Sequence, residues 1–135
     1  MKAEEYDRLY ETRKGLAMVR SLLVDVGWTQ NRYRKTDIRG KVTGWCITGA
    51  CFEASRRWRK HRGRHMPDVT LWDIRQWIKR VLHEALNVGA YRVTGPDRLV
   101  EYNDDDGRTR QEMIDLVNQA IHRVDTKMDT AERVW

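Results

Sequence analysis

The stretch that decides the fold is residues 43–60, TGWCITGACFEASRRWRK. Apolar and small side chains recur in it at helical spacing and form one stripe: Ile47, Ala50, Cys51, Ala54 and Trp58. Thr43 precedes the stripe, and we expect its hydroxyl to cap the first turn. Because Gly49 costs roughly 1 kcal/mol relative to alanine inside a helix, we expect another segment to approach the backbone there. The stretch therefore predicts a helix over residues 44–60 with its front half in the core.

Amphipathic patterns on both sides of this stretch predict further helices. An opening helix is expected over residues 4–26, with Gly27 as its stop. Residues 29–42 are polar and aperiodic, so they predict a loop or a short irregular hairpin. A third helix is expected directly after Thr70, and the spacing of Thr70 and Asp73 resembles a capping arrangement.

The C-terminal third adds a hairpin and a last helix to the prediction. Weak alternation over residues 90–102 predicts a minor β-hairpin. Thr109 and Glu112 then have the spacing of a capping box that opens the last helix. The predicted fold is mainly α, a compact bundle of about four helices with the hairpin before the last one. We expect a single helical domain over residues 1–124 and an aperiodic tail over residues 125–135.

Composition limits the class of protein. The chain has 135 residues, about one domain by the usual size of domains. Charged residues make up 34% and hydrophobic ones 40%, which is typical of a soluble globular protein. No apolar run approaches the roughly 18–20 residues of a membrane span, and the first residues lack the apolar core of a signal peptide. We therefore expect a cytoplasmic protein with no membrane partner.

Aromatic and thiol side chains are expected mainly in the core. Four of the six tryptophans are predicted to fill it because a small domain needs large side chains: Trp28, Trp45, Trp72 and Trp77. Cys46 and Cys51 are five apart on one helix and point about 140° away from each other. A mutual disulfide is therefore not expected, and both thiols should be reduced.

Cys46 is the candidate nucleophile of the chain. Near the start of a helix, free amides and the helix dipole favour a thiolate. Nucleophilic catalysis also needs a nearby base, and the sequence places none of the four histidines beside this cysteine: His61, His65, His83 and His122. We interpret Cys46 as a packing residue and keep a cysteine-dependent hydrolase or transferase as an alternative.

An acidic turn precedes the last helix. In the calcium-loop pattern, Tyr102 and Met113 would occupy the first and twelfth ligand positions, and neither can serve there. We interpret the segment as a structural turn that brings acids toward a helix N-terminus, with these members: Asn103, Asp104, Gly107, Arg108 and Thr109. His61 and His65 are separated by a glycine and lack a third ligand, so no metal and no cofactor are expected.

The basic segment, residues 55–65, is the strongest functional signal. It holds six cations and no acid in a chain whose net charge is +6: Arg56, Arg57, Arg59, Lys60, Arg62 and Arg64. Three interpretations remain open. The cations could neutralise phosphates while Trp58 stacks on a base. They could dock on an acidic protein surface, including residues 101–106 of a second copy. They could also be a solvated helix end without a role.

Two groups of short motifs carry a family resemblance. The first is Gly27-Trp28-Thr29-Gln30 with Gly44-Trp45-Cys46-Ile47-Thr48-Gly49-Ala50, and the second is Tyr102-Asn103-Asp104 with Gly107-Arg108-Thr109. The chain resembles a family of small uncharacterised proteins, a domain of unknown function, from actinobacteria and their phages. Tyr102 stands where the family pattern has tryptophan, and the basic segment is not part of that pattern. The resemblance implies no activity, although a phage origin would imply binding to a host component.

We predict a non-enzymatic binding protein, phage-encoded if the resemblance holds, that docks on a host protein surface through its basic helix end. The predicted contacts are Arg56, Arg57, Trp58, Arg59, Lys60, Arg62 and Arg64. A protein partner is favoured because no complete catalytic set accompanies this concentration of charge. Nucleic-acid binding through residues 56–64 and homo-oligomerisation remain alternatives.

Overall fold

The computed structural model describes residues 3–62, 64–88 and 98–134. Helix α1 spans Ala3–Ser21 and continues into a π-helical turn over Leu22–Val26, and strands β1 (Arg34–Thr36) and β2 (Val42–Trp45) follow. The remaining elements are helices α2 (Ile47–Arg62), α3 (Leu71–Val88), α4 (Arg98–Asp104) and α5 (Arg110–Val134). The mainly helical prediction is confirmed, but the described residues form five α-helices rather than four.

The extra helix and the hairpin correct the predicted topology. Helix α4 has seven residues, fewer than two full turns, and it occupies part of the predicted hairpin over residues 90–102. Residues 90–97 of that prediction lie outside the described residues. The two-stranded antiparallel hairpin of the structure precedes α2, with Arg34 opposite Trp45, and it begins in residues 29–42, where a loop or a short irregular hairpin was predicted. Its first strand is exposed throughout, so no alternation of apolar residues marks it in the sequence.

Helix α5 runs through most of the segment predicted as an aperiodic tail, residues 125–135. Val124 and Ala131 are buried, and Met128 packs against the core between them. These three residues continue the helical spacing, so the stripe extends past Val124 although the residues between are polar. The prediction of an irregular tail is therefore wrong for residues 125–134.

The start of α2 differs from the prediction by a few residues. Thr43 lies in β2, so it does not cap the helix. Cys46 takes that position, and its sulfur accepts the backbone N–H of Gly49 at 3.2 Å. A Cβ on Gly49 would overlap the carbonyl oxygen of Tyr33, which confirms the expected close approach.

The core lies between α1, α2, α3 and α5, with one residue from α4. Its fully buried members include Leu16, Leu23, Ile47, Ile74, Ile78, Leu82, Leu99, Met113, Val117 and Val124. Among the tryptophans expected there, Trp45 is buried and Trp28 and Trp77 are partly buried against the core. Trp72 is 61% exposed in the first turn of α3, so the prediction for that residue is wrong.

Candidate functional site

Asn103 is a buried polar side chain that joins three parts of the chain. Its Oδ1 accepts the indole N–H of Trp28 at 2.8 Å and the backbone N–H of Ile47 at 3.0 Å. Its Nδ2 donates to the carbonyl of Thr29 at 3.1 Å and to the Asp104 carboxylate at 2.9 Å. One amide therefore fixes the end of α4 to the start of α2 and to the segment that follows α1.

The segment after α1 makes a second row of contacts with the acidic turn. The Gln30 amide donates to the carbonyl of Asn103 at 3.0 Å and to that of Asp105 at 2.9 Å. The backbone N–H of Asn31 donates to Asp104 Oδ1 at 2.8 Å. Residues 28–31 and 103–105, which are far apart in the sequence, thus lie side by side. The Asp104 carboxylate of the turn accepts an N–H group of the same chain.

Arg108 closes the other side of this turn. Its guanidinium lies 3.7 Å from the centroid of the Tyr102 ring and donates to that residue's carbonyl. It also pairs with Asp105 at 3.2 Å and with Glu112 at 2.6 Å. Hydrogen bonds from the Arg108 side chain and the Thr109 backbone hold the pKa of Glu112 below its usual value. The predicted capping box of Thr109 and Glu112 is confirmed by hydrogen bonds in both directions.

The turn is therefore explained by contacts within the chain. Gly107 has φ of 80°, a left-handed conformation that glycine adopts without strain. Over residues 3–62, 64–88 and 98–134, no three His, Cys, Asp or Glu side chains are grouped so as to hold a metal ion.

Cys46 lies at the wall of a cavity of about 340 Å³, beside Tyr33 and Val100. The residue is 6% exposed, and its sulfur is the N-terminal cap of α2. His61 is fifteen residues further along the same helix, which places it about 22 Å away at 1.5 Å per residue. The histidines of the basic segment are thus at the opposite end of α2 from this thiol.

Trp58 does not reach the surface of the basic segment. It is 2% exposed, and its indole N–H donates to Glu11 Oε2 at 2.7 Å. The other oxygen of Glu11 lies 3.5 Å from Arg62. Because Trp58 and Glu11 are 47 positions apart, sequence spacing gave no signal of this contact.

Half of the six cations have an acidic partner. Glu53 pairs with Arg56 at 2.6 Å and with Arg57 at 3.0 Å, besides the pair between Arg62 and Glu11. Burial raises the pKa of Glu53, but the hydrogen bonds from the two arginines outweigh it and the pKa lies below its usual value. The spacing of three and four residues could have revealed these pairs.

The other three cations form the basic end, which we define as Arg59, Lys60 and Arg64. All three are exposed. Within the part of the chain that the structure describes, none of them forms an ion pair. The basic end is thus an uncompensated positive surface at the C-terminus of α2.

A second surface, which the sequence did not reveal, lies beside the N-terminal half of α2. It is a cavity of about 510 Å³ lined by residues from the hairpin, α2 and α3. Phe52 forms one wall, with the Arg75 guanidinium 3.5 Å from its ring centroid and the Tyr33 ring 5.7 Å away edge-on. The cavity depends on how α3 packs against the hairpin and α2, so no local sequence pattern could indicate it.

This structure defines a small helical domain in which the Asn103 amide joins three segments, with a basic end and with cavities beside α2. The chain belongs to the family of unknown function DUF6197, whose model matches residues 10–123. The predicted membership in a domain family of unknown function is thereby confirmed, and all the quoted motifs fall within the match. No curated protein and no solved structure matches the chain. None of the helices in the described part of the chain is sufficiently long and apolar to span a membrane.

Proposed function

We propose that this protein is a non-enzymatic binding protein that docks on an acidic surface of a partner protein through its basic end. The observation that carries the proposal is the exposure of Arg59, Lys60 and Arg64 at the end of a helix whose other face is anchored in the core. Cations without acidic neighbours lose little when they pair with a partner's carboxylates, and they steer association from a distance.

A protein partner fits this surface better than a nucleic acid. Trp58, the aromatic residue of the basic segment, is buried against Glu11 and offers no platform for a base. Glu53 and Glu11 neutralise half of the cations, whereas a phosphate-binding surface works through a continuous positive charge. The mixed pattern favours a carboxylate-bearing protein surface of limited size.

A second copy of the chain is a weaker partner. Its acidic residues 101–106 would have to supply the carboxylates, but Asp104 already accepts Asn31 and Asp105 already pairs with Arg108. An enzymatic role for Cys46 is likewise less supported, because that residue is 6% exposed and its sulfur caps α2. An origin in an actinobacterium or its phage, which the motifs suggested, would make a bacterial host protein the partner.

The test compares two variants that remove the same charge from different surfaces. The first replaces the basic end, as Arg59→Gln, Lys60→Gln and Arg64→Gln. The control replaces three exposed cations of the hairpin, as Lys35→Gln, Arg39→Gln and Lys41→Gln. Both variants and the wild type are immobilised and exposed to an actinobacterial lysate with and without nuclease.

We expect the wild type and the hairpin control to retain the same lysate protein after nuclease treatment. The basic-end variant should no longer retain that protein. Retention should weaken as salt rises, because the contact is electrostatic. Retention that vanishes with nuclease would favour the nucleic-acid alternative. Equal retention by all three proteins would contradict a role for the basic end.

A further inference from the structure

The cavity lined by Phe52 and Arg75 contains a cation without a counter-charge. Arg75 comes from α3, is half-buried at the cavity wall, and forms no ion pair within the described residues. Burial lowers its pKa and outweighs the electrostatic contributions of the Cys51 thiol and the Tyr33 phenol, which raise it. Glu53 also lines the cavity, but Arg56 donates to both of its carboxylate oxygens and Arg57 donates to one of them. The cavity therefore carries a positive charge that no acid of the described chain balances.

The same wall holds two buried hydrogen-bond donors that remain unsatisfied. Neither Trp45 Nε1 nor Arg75 Nε has an acceptor in the described part of the chain. Both residues line the cavity, and Trp45 is more than nine-tenths buried. Buried N–H groups are satisfied in the great majority of cases, so two orphans at one cavity need an explanation. An acceptor supplied by a ligand is the explanation that also balances the charge.

The rest of the lining determines the shape of such a ligand. The Arg75 guanidinium lies 3.5 Å from the centroid of the Phe52 ring, and Tyr33 and Leu71 add apolar surface. A guanidinium held in this way presents a planar fork that matches a carboxylate. A cavity of about 510 Å³ is in the size range of small-molecule sites, which combine apolar walls with a few polar groups.

We infer that this cavity binds a small aromatic carboxylate, with its carboxylate on Arg75 and its ring against Phe52 and Tyr33. This site is independent of the proposed docking surface, because it does not include Arg59, Lys60 or Arg64. The ligand that we infer for the cavity is a small organic anion, and it is distinct from the partner protein proposed for the basic end.

Calorimetry with 2-naphthoate tests the inference on the full chain, with the uncharged 2-naphthamide as the matched ligand. We expect 2-naphthoate to bind with a dissociation constant below about 1 mM and 2-naphthamide at least about tenfold more weakly. Equal affinity for the two compounds, or no binding of 2-naphthoate at millimolar concentration, would overturn the inference. This comparison uses the wild type, so it does not depend on whether a variant folds.

Two arginines of α3 provide a matched pair of variants. Arg75→Met should weaken 2-naphthoate binding at least about tenfold, whereas Arg80→Met, at an exposed position of the same helix, should leave it within about twofold. Arg75→Lys keeps the positive charge but removes the planar guanidinium. Its affinity for 2-naphthoate should therefore lie between those of the Arg75→Met variant and the wild type. The basic-end variant should bind 2-naphthoate like the wild type. Unchanged affinity in folded Arg75→Met would contradict the assignment.

Discussion

At the scale of single residues, polar side chains that could suggest chemistry instead hold segments together. Asn103 makes four hydrogen bonds through one buried amide. Arg110 donates to the carbonyls of Leu23 and Val24 in the π-helical turn, where the helix has run out of its own donors. Residues of the short motifs quoted above, such as Asn103, thus take part in assembling the fold.

Cys46 gives a prediction at this scale. Serine is a better N-cap than cysteine, so Cys46→Ser should leave the free energy of unfolding within about 0.5 kcal/mol of the wild type. Cys46→Ala removes the acceptor of the Gly49 N–H and should cost about 1 kcal/mol. Urea denaturation measures both values. A serine variant that is as unstable as the alanine variant would show that the sulfur contributes by packing rather than as a cap.

At the scale of elements, helix α2 is positioned by a glycine. The Tyr33 backbone lies against Gly49, and Cys46 N–H donates to the same carbonyl at 3.1 Å. Gly15 of α1 faces a softer neighbour, the side-chain end of Ile78 in α3. A Cβ added at Gly49 would therefore meet backbone atoms that cannot move aside, whereas one added at Gly15 would meet a side chain that can.

That difference predicts unequal effects of the same substitution. Gly49→Ala should destabilise the protein by more than about 2 kcal/mol, because the helix preference of alanine does not offset a backbone clash. Gly15→Ala should cost less than about 1 kcal/mol, because Ile78 can change rotamer and the helix gains alanine. Thermal unfolding of both variants decides the point. Equal losses would mean that hairpin and helix are not in the close contact described.

The N-terminus of α5 gives a prediction for pH. The folded-state pKa of Glu112 is lowered, so its stabilising contribution is present above the unfolded value of about 4.3 and is lost as pH falls through the folded value. The stability difference between the wild type and Glu112→Gln should therefore be larger at pH 7 than at pH 3. Urea denaturation of both proteins at pH 7 and at pH 3 measures this difference in the free energy of unfolding. A difference that stays constant would show that the Glu112 charge contributes nothing.

At the scale of the whole molecule, α5 holds α1 and α3 along its length. Arg13 of α1 pairs with Asp125 at 3.0 Å, and Glu84 of α3 lies 3.2 Å from Lys127. Ala131 is 2% exposed one turn after Met128. A chain ending at Val124 should thus be less stable than one ending at Ala131 by about 2 kcal/mol or more. Equal midpoints in chemical denaturation would show that the last turns do not support the core.

Most of the helical fold could be predicted from the sequence. Helices α1, α2, α3 and the first half of α5 were predictable because their buried residues repeat with the helical period. Helix α4 has fewer than two full turns and was missed. The hairpin was only one of two alternatives for residues 29–42, because its exposed first strand carries no alternation of apolar residues. The basic segment was visible as a local run of charge. Three features depend on contacts between separate segments and could be seen only in the structure. They are the pairing of Glu11 with Arg62, the hydrogen bonds of the Asn103 amide and the cavity at Arg75.

The most direct test of this account is the free energy of unfolding of Asn103→Ala, measured by urea denaturation. The substitution leaves the donors of Trp28 and Ile47 and the carbonyl of Thr29 without their partner, so we expect a loss of about 3 kcal/mol or more. Asn118→Ala is the control, because that exposed asparagine bonds only Arg20 among the described residues and should cost less than about 1 kcal/mol. A loss at Asn103 no larger than the control would contradict the claim that the motif containing Asn103 serves to assemble the fold.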